Sequence, residues 1–423
     1  MRVAMISLHT SPLAMLGGKD AGGMNVYVRE LSRQLGRRGL QVDIFTRRTA
    51  AEAPETVPLA RNVRVVHLTA GPAEPVDKNS LYELTPAFAE ALLAFAGAEG
   101  IWYDVLHSHY WLSGWAAHLA RQQRPAPLVH MFHTLGQMKN LVARDAQDRE
   151  LDLRLDTERR LMQLADSLVA ANPSERAQLV WFYGAPDARI CTVPLGVDLS
   201  LFQPLPRATA RAELGLGPEP LILFVGRLEA LKGIDTLLEA LARLLAEGPA
   251  GRPRPRLLIV GGQVRPGERP SGELARLLAL RDALGLGDQV CFAGAQPQER
   301  LPLFYAAADV VAMPSLYESF GLVAVEAMAC GTPVVASRVG GLAYTVQHER
   351  SGLLVPERDP AALAAALGRV LGDPALRERL GAQAAEVARR FSWPAVADLV
   401  EQIYANLVFG AHTTPCGDYV YAI

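Results

Sequence analysis

The amino-acid sequence predicts an α/β protein made of two successive doubly wound domains. Short apolar runs alternate with segments of helical periodicity along most of the chain, which is typical of parallel βαβ units. At 423 residues, the chain also exceeds one ordinary hydrophobic core. A proline-rich stretch at 194–206 interrupts the alternation. We therefore expect domains at 1–198 and 199–391, a helix at about 392–410 that packs back on the first domain, and a tail at 411–423.

In the first domain, an apolar run at Val3–Leu8 predicts the opening strand. A glycine-rich loop follows, after which apolar residues from Met24 to Leu35 recur at helical spacing. The remaining strand predictions are Val42–Phe45, Asn62–Leu68, Val105–Ser108, Leu128–Phe132, Ser167–Ala171 and Arg189–Val193.

The second domain repeats this pattern after the proline-rich linker. A helix is predicted from about Gly233 to Leu245. Strands are predicted at Leu221–Val225, Arg256–Val260, Val290–Ala293, Val310–Met313, Pro333–Ala336 and Gly352–Val355.

Composition excludes several classes of protein. The formal net charge is −2, whereas nucleic-acid binding normally requires a strong basic excess. No run approaches the roughly 20 apolar residues that span a bilayer, and the apolar N-terminal run is too short for a signal peptide. The four cysteines lack Cys-x-x-Cys spacing, so we interpret them as reduced and the protein as cytoplasmic.

The stretch from Glu318 to Glu326 is the most informative part of the chain. It is typical of a strand end, a glycine-containing turn and a helix start. Eight helical steps of about 1.5 Å would separate the two carboxylates by about 12 Å, with the amides of the first helical turn free to bind a diphosphate between them. The alternative is a pair of solvated glutamates, which the apolar residues around Glu326 disfavour.

Two loops at predicted strand ends could also hold an anion. Residues 17–25 are glycine-rich and open the first helix, although they fit neither G-x-G-x-x-G nor the P-loop, and a tight turn without a ligand explains them equally well. Arg227 and Lys232 lie between a strand and a helix of the second domain, where cations are well placed for a diphosphate. Either cation alone could be a solvated loop residue.

Histidines cluster at two predicted strand ends, at 107–109 and 130–133. Their spacing matches no zinc template, and the chain contains no Asp-x-Asp pair that could hold a divalent metal on a nucleotide diphosphate. We therefore expect no metal, and we expect His133 to face an interdomain cleft as a hydrogen-bonding residue.

Arg29, Arg33 and Arg37 recur every four residues and predict a basic stripe on the first helix. A solvated helix face is the favoured explanation, and contact with anionic lipid headgroups is the alternative. A membrane surface and a second copy of this chain both stay open as partners.

Together these motifs resemble glycosyltransferase family 4. The resemblance is carried by Arg227 with Lys232, by the Glu318-x7-Glu326 pair, by residues 21–28 and by His133-Thr134, and it covers the chain up to about Gly410. It implies the GT-B fold, in which two Rossmann-like domains face each other across a cleft. The N-terminal domain would bind the acceptor and the C-terminal domain a nucleotide sugar, with a UDP-linked sugar as the expected donor.

The resemblance also implies roles for residues of the donor site. Arg227 and Lys232 would neutralise the diphosphate and act in catalysis, and Gly23 would bring its amide to the same group. Glu326 would hold the nucleotide ribose. Catalysis would be a retaining transfer without a cofactor or a metal.

Residues near the transferred sugar and the acceptor follow from the same resemblance. Glu318 would contact the donor sugar, and His133 would lie near the reacting carbon. The acceptor would be a phosphorylated polyol or sugar such as inositol phosphate. The residues expected around it are Asn25 beside its ring and Lys78, Tyr110, Thr134 and Arg154 on its phosphate.

Other functions remain as alternatives. The chain could transfer sugar to a hexose phosphate, as a sucrose-phosphate synthase does, or to a lipid at a membrane surface. It could also be a nucleotide-sugar sensor that lacks catalysis, although a sensor would not need both glutamates and both cations. A Rossmann-type dehydrogenase is disfavoured because G-x-G-x-x-G follows neither opening strand.

Overall fold

The computed structural model describes residues 1–14, 22–146, 148–247, 253–262 and 271–410. The expected tail at 411–423 and residues 17–21 of the glycine-rich loop lie outside these ranges. Two sheets, each wound with helices, organise the described chain. The predicted α/β class with two doubly wound sheets is therefore confirmed.

The strands of the first sheet are β1 Arg2–Ile6, β2 Gln41–Arg47, β3 Thr56–Ala60, β4 Val63–Leu68, β5 Val105–His109, β6 Leu128–Met131, β7 Ser167–Ala170 and β8 Ile190–Thr192. Their order is β3-β4-β2-β1-β5-β6-β7-β8, and only the β3–β4 pair is antiparallel. Helices cover both faces, so the central strands are almost completely buried. This burial explains why most of them appear in the sequence as continuous apolar runs.

Helices of the first half alternate with these strands. They are α1 Gly23–Arg37, α2 Thr85–Ala98, α3 Trp111–Gln123, α4 Gly136–Val142, α5 Asp152–Leu164 and α6 Pro173–Tyr183. The start of α6 illustrates how local sequence sets a helix boundary. Asn172 accepts a hydrogen bond from the amide of Glu175, and Pro173 occupies the first helical position, where its missing N–H costs nothing.

The second sheet contains β9 Leu221–Val225, β10 Arg256–Val260, β11 Val290–Gly294, β12 Val310–Met313, β13 Val334–Ser337 and β14 Gly352–Val355. It is parallel, in the order β11-β10-β9-β12-β13-β14. The helices of this half are α7 Arg207–Glu213, α8 Ile234–Glu247, α9 Gly272–Ala283, α10 Leu301–Ala307, α11 Leu322–Ala329, α12 Leu342–Thr345, α13 Pro360–Gly372, α14 Pro374–Ala388 and α15 Trp393–Phe409.

Strand β3 is the described strand that the sequence analysis misses. It is five residues long, and Pro58 interrupts its apolar pattern. A proline cannot donate a ladder hydrogen bond, but β3 lies at the edge of its sheet, where one side of the strand needs no partner. Edge position is a property of the folded sheet, so the local sequence does not reveal it.

The chain crosses between the two halves twice, and the crossings lie side by side. The amide of Val197 donates to the carbonyl of Phe391 at 2.7 Å, and Val197 forms a parallel bridge with Ser392. Trp393 then packs so closely on Gly196 that a Cβ there would lie 2.4 Å from its ring. The linker and the start of α15 thus form one packed unit.

Helix α15 returns to the first half and packs on α1. Arg38, just after α1, pairs with Glu401 at 2.7 Å and also with Asp398. Deeper in the interface, the hydroxyl of Tyr404 lies 2.7 Å from Nδ1 of His107 on β5. Helix α15 therefore packs beside α1 as one of the helices that cover the first sheet.

The cysteines correct one expectation. Cys191 is disulfide-bonded, whereas Cys291 and Cys330 are free. Spacing along the chain cannot exclude a bridge, because bonding depends on the distance between sulfur atoms in the fold. The cytoplasmic location therefore loses its cysteine argument and stays a prediction.

We expect Trp393→Ala to lower the free energy of unfolding by about 3–5 kcal/mol, because it removes a large buried side chain. The Trp393 side chain is 3% exposed, and its ring centroid lies 5.8 Å from that of Tyr27. Trp181→Ala, at a residue that is 80% exposed, is the matched control and should change stability by less than about 0.5 kcal/mol. Urea unfolding followed by circular dichroism measures both; equal effects would contradict the structural role of this contact.

Candidate active site

Loops from both sheets line one cleft. In the first sheet the strand order runs outward from β1 on either side, and in the second sheet it runs outward from β9. Ligands of doubly wound proteins bind at such switch points, beyond the carboxyl ends of the strands. His9 after β1, Tyr110 after β5, Arg227 after β9 and Ser315 after β12 all line the cleft.

All eleven residues that the sequence analysis proposes for the site lie on this cleft. They come from segments that are as much as about 300 positions apart in the sequence. The set comprises Gly23, Asn25, Lys78, Tyr110, His133, Thr134, Arg154, Arg227, Lys232, Glu318 and Glu326.

The two cations that the sequence analysis assigns to a diphosphate both have carboxylate partners. Nζ of Lys232 lies 2.6 Å from Oε2 of Glu318, and both side chains are largely buried. Nη1 of Arg227 lies 2.7 Å from Oε1 of Glu229. A diphosphate entering this part of the cleft would meet cations that are already oriented, and it would share Lys232 with Glu318.

Gly233 fixes the loop that carries Lys232. Its φ angle is +65°, and a Cβ at this position would lie 2.1 Å from the carbonyl oxygen of Pro314. Only glycine fits there without displacing the backbone. The loop after β9 therefore packs directly on the loop after β12, which carries Glu318.

The expectation that one helix carries both Glu318 and Glu326 is wrong. Helix α11 begins at Leu322, and its N-cap is Gly321 in a left-handed conformation. Glu318 lies in the preceding loop, where its carbonyl accepts a hydrogen bond from Gly341 at 2.8 Å. The strand–turn–helix order is confirmed, but a loop geometry rather than the helical rise sets the distance between the two carboxylates.

Glu326 is almost fully buried at the cleft. Only 4% of the residue is exposed, and its Oε2 accepts a hydrogen bond from the Tyr305 hydroxyl at 2.7 Å. Burial raises the pKa of Glu326 to about 7, although hydrogen bonds from Tyr305 and Gln298 act in the opposite direction. Near neutral pH this carboxyl group can thus accept a hydrogen bond from a hydroxyl group or donate one to it.

Gln298 also connects Glu326 to the first domain. Its Oε1 accepts a hydrogen bond from Nη2 of Arg29 on α1, while its side chain bonds to Glu326. Arg29 and Arg33 both pair with Glu30. Two members of the predicted arginine stripe therefore have partners within the protein, and the stripe loses its value as evidence for lipid binding.

His133 lies at the cleft with a φ angle of +61°, which is uncommon for a residue other than glycine. Its Nε2 lies 3.0 Å from Nδ1 of His109, whose Nε2 lies 2.8 Å from the sulfur of Met5. Burial, reinforced by neighbouring histidines, lowers the pKa of His133 and of His109 well below the usual value. Both rings are therefore neutral.

The neighbours of His109 decide which nitrogen atoms carry protons. A thioether sulfur can only accept, so the proton of His109 is on Nε2, facing Met5. Its Nδ1 must then accept from Nε2–H of His133. This leaves Nδ1 of His133 as the acceptor nitrogen.

The predicted acceptor residues form a connected group. Arg154, whose side chain is 2% exposed, donates to the Tyr110 hydroxyl at 3.0 Å and to the carbonyl and hydroxyl of Thr134 at 2.8 and 3.2 Å. Nζ of Lys78 lies 5.9 Å from the centre of the Tyr110 ring. Residue-level reasoning alone would treat both cations as solvated, whereas the structure places both at the cleft.

Asn25 contacts the protein rather than open space. Its side-chain amide donates to the hydroxyl of Thr10 at 2.8 Å and to the carbonyl of Ser11 at 2.7 Å. Its side-chain oxygen accepts from the amide of Gly22 at 3.0 Å. Asn25 thus holds the segment after β1 against the start of α1.

Known proteins resemble this chain over nearly its full length. The model of Glycosyltransferase Family 4 matches residues 21–201, and the model of Glycosyl transferases group 1 matches residues 206–387. The D-inositol 3-phosphate glycosyltransferase of Kineococcus radiotolerans is 45% identical over 418 residues, covering 96% of this chain and 95% of the relative. The protein of the same name from Acidothermus cellulolyticus is 47% identical over 407 residues, covering 96% and 90%.

The chain belongs to glycosyltransferase family 4. The solved structure of sucrose-phosphate synthase from Thermosynechococcus elongatus has a TM-score of 0.88 and 40% identity, covering 97% of this chain and 100% of that chain. The GT-B fold, with two Rossmann-like domains facing across a cleft, is thus confirmed for this glycosyltransferase.

Several cleft residues of the glycosyltransferase escape the sequence analysis. His9 is partly buried and packs against Tyr110, with 4.3 Å between the ring centres, and Lys139 lines the cleft, as Arg154 does. Gln298 does not itself line the cleft, but it contacts Glu326 from a short 3₁₀ helix, Gln298–Arg300, outside any motif. His9 could have been found, because it directly follows the opening strand at a switch point. Lys139 and Gln298 carry no comparable local signal.

The part of the glycosyltransferase that the structure describes contains no group of three or more His, Cys, Asp or Glu side chains arranged to hold a metal ion. Within the same residues, no helix is long and apolar enough to cross a membrane.

Glu326→Gln should gain thermal stability relative to wild type as pH rises from about 5 to 8, since folding raises the pKa of this carboxyl to about 7. Between these pH values the unfolded chain releases the proton before the folded protein does, which lowers wild-type stability. The variant lacks this proton. Melting temperatures across the pH range measure the difference, with the exposed Glu386→Gln as control. A difference that is independent of pH would contradict the assigned pKa.

Proposed function

We propose that this glycosyltransferase transfers a sugar, with retention, from a UDP-linked donor to a phosphorylated polyol of the inositol phosphate type. One observation carries the proposal: a single cleft joins a cationic group from the second domain to a second cationic group from the first. Two anionic substrates could therefore meet between the domains. The relatives that are 45–47% identical are named for inositol 3-phosphate, which supports this acceptor.

The donor would lie against the second domain. Arg227 and Lys232 would neutralise its diphosphate, together with the amide of Gly23 and the first amides of α11. Glu326 would bind the ribose hydroxyls, for which its low exposure and its bond from Tyr305 are suited. Glu318, held by Lys232, would then contact the sugar.

The acceptor would lie against the first domain. Lys78, Tyr110, Thr134 and Arg154 would bind its phosphate, and Asn25 would shape the wall beside its ring by holding the loop after β1. His133 would lie near the reacting carbon. Its unprotonated Nδ1 makes it a hydrogen-bond acceptor there rather than an acid.

The reaction would proceed on one face of the sugar. An acceptor hydroxyl oxygen forms a bond to the anomeric carbon while the bond from that carbon to the diphosphate oxygen breaks. The electron pair leaves with the diphosphate, and the hydroxyl proton passes to the departing oxygen. Arg227 and Lys232 stabilise the charge that develops on the diphosphate, and closure of the two domains excludes water that would hydrolyse the donor.

Transfer to a hexose phosphate is the second candidate, because the sucrose-phosphate synthase structure is 40% identical over nearly the whole chain. Incubation with a panel of nucleotide sugars, inositol 3-phosphate and hexose phosphates, with mass detection of products, distinguishes the two. Proton NMR of the product reports retention or inversion. Donor binding without any product would support a nucleotide-sugar sensor instead. We also propose that the protein is cytoplasmic and that its acceptor is not a lipid.

We predict that Arg227→Ala and Lys232→Ala each lower kcat by about 10²- to 10³-fold, because one lost contact to a developing oxyanion typically raises the barrier by about 3–4 kcal/mol. Binding of the uncharged nucleoside should change much less. Arg369→Ala, at a cation that is 54% exposed, is the matched control. Wild-type turnover in both variants would exclude the assigned diphosphate site.

Turnover should persist in an excess of chelator, since Arg227 and Lys232 supply the positive charge that a divalent metal would otherwise provide. Initial rates with and without chelator test this expectation. Loss of activity that magnesium or manganese restores would show that a metal takes part.

A further inference from the structure

The carboxylate of Glu150 lies among three cations at the acceptor end of the cleft. Its Oε1 is 2.9 Å from Nη1 of Arg154, in ion-pair contact with Nζ of Lys139 and 3.9 Å from Nζ of Lys78. The Glu150 side chain is 9% exposed. All three cations line the cleft. Glu150 therefore contacts Lys78 and Arg154, the two cations that the proposed function assigns to the acceptor's phosphate, and also Lys139.

Glu150 differs from Glu158, the other carboxylate beside Arg154. Glu158 is fully buried and accepts hydrogen bonds from the amide of Gly136 at 3.0 Å and from the Tyr183 hydroxyl at 2.6 Å. Within the described chain, the carboxylate of Glu150 contacts only the three cations. Glu158 is thus bonded to neutral groups of the protein as well as to Arg154, whereas the described partners of the Glu150 carboxylate are all cations.

The environment keeps Glu150 ionised. Burial favours its protonated form, but the charges of Arg154, Lys139 and Lys78 together lower the pKa of Glu150 to about 2. A phosphate monoester carries about −1.5 to −2 charges at pH 7. Such a group cannot share these cations with an ionised carboxylate at close range without strong repulsion.

Lys139 is the cation that the proposed function leaves unused. It lies on α4, which begins two residues after Thr134, and it faces the same cleft as Arg154. If an acceptor phosphate displaced Glu150, Lys139 would lose its counter-charge unless it bound that phosphate. A phosphate at this position would replace the negative charge that Lys139 loses with Glu150.

Lysine usage provides independent support. Of 42 lysines and arginines in the sequence, only Lys19, Lys78, Lys139 and Lys232 are lysines. Lys19 lies outside the described residues, and the other three all line the cleft. A lysine is a point charge on a flexible stem, so it can move between two anions more easily than the planar fork of arginine. The described lysines thus all lie where anions would exchange, beside Arg154 and Arg227.

We propose that Lys139 is a further ligand of the acceptor's phosphate and that the Glu150 carboxylate occupies the phosphate position until the acceptor displaces it. The inference rests on the proposed function for the phosphate of the acceptor. The displacement involves the side chain, because the backbone amide of Glu150 is tied to Asn140 at 2.7 Å. Glu150 thereby keeps three cations paired in the empty site and makes the site selective for anions that compete with a carboxylate.

Calorimetric titration of the full chain with inorganic phosphate, without donor, tests both parts. Glu150→Gln should bind phosphate about ten- to a hundredfold more tightly than wild type, and Lys139→Met about ten- to a hundredfold more weakly, as expected for one charge-assisted contact. Lys139→Arg keeps the charge and should retain binding. The controls are Asp148→Asn, an exposed carboxylate in the same loop, and Arg159→Ala, an exposed cation on α5.

Each outcome has a defined meaning. Unchanged or weaker phosphate binding by Glu150→Gln, or equal gains in Asp148→Asn, would overturn the displacement. Unchanged binding by Lys139→Met would overturn its role as a ligand, and failure of phosphate to bind both wild type and Glu150→Gln would overturn the whole inference. If the phosphate shifts occur but no phosphorylated acceptor is glycosylated, the anion site stands and the proposed function fails.

Discussion

Cations that are withdrawn from water need counter-charges, and this requirement shapes the cleft in both domains. In the second domain Lys232 pairs with Glu318, and in the first domain Arg154 pairs with Glu150 and Glu158. The site is therefore nearly neutral before any substrate enters. Under the proposed function, the donor diphosphate would share Lys232 with Glu318, whereas the acceptor phosphate would displace Glu150 from Arg154.

Most of the scaffold could be predicted because its signals are local. Parallel strands buried on both faces, such as β9 and β12, leave continuous apolar runs that end at the predicted residues. Arg227 and Lys232 lie between such a strand and the next helix, so the sequence could place both of them beyond the end of a strand. The family resemblance supplied Lys78 and Arg154, which no local pattern marks.

The rest required three-dimensional information. A left-handed Gly321 displaces Glu318 from the helix that the sequence suggests, and no periodicity reports that turn. Glu150 becomes significant only when separate segments bring three cations around it. The bond between Arg29 and Gln298 joins residues 269 positions apart. Such contacts depend on long-range packing, and the bond between Arg29 and Gln298 also joins the two domains.

The return of α15 to the first domain has a consequence for how the protein is made. Synthesis on the ribosome delivers the N-terminal domain first, and domains generally begin to fold as they emerge. Here the apolar side of α1 and the ring of Tyr27 receive their cover from Trp393 and the residues that follow it. The first half of the chain to be translated is therefore the last to be completed, and a fragment that stops at the linker would expose the surface that α15 normally covers.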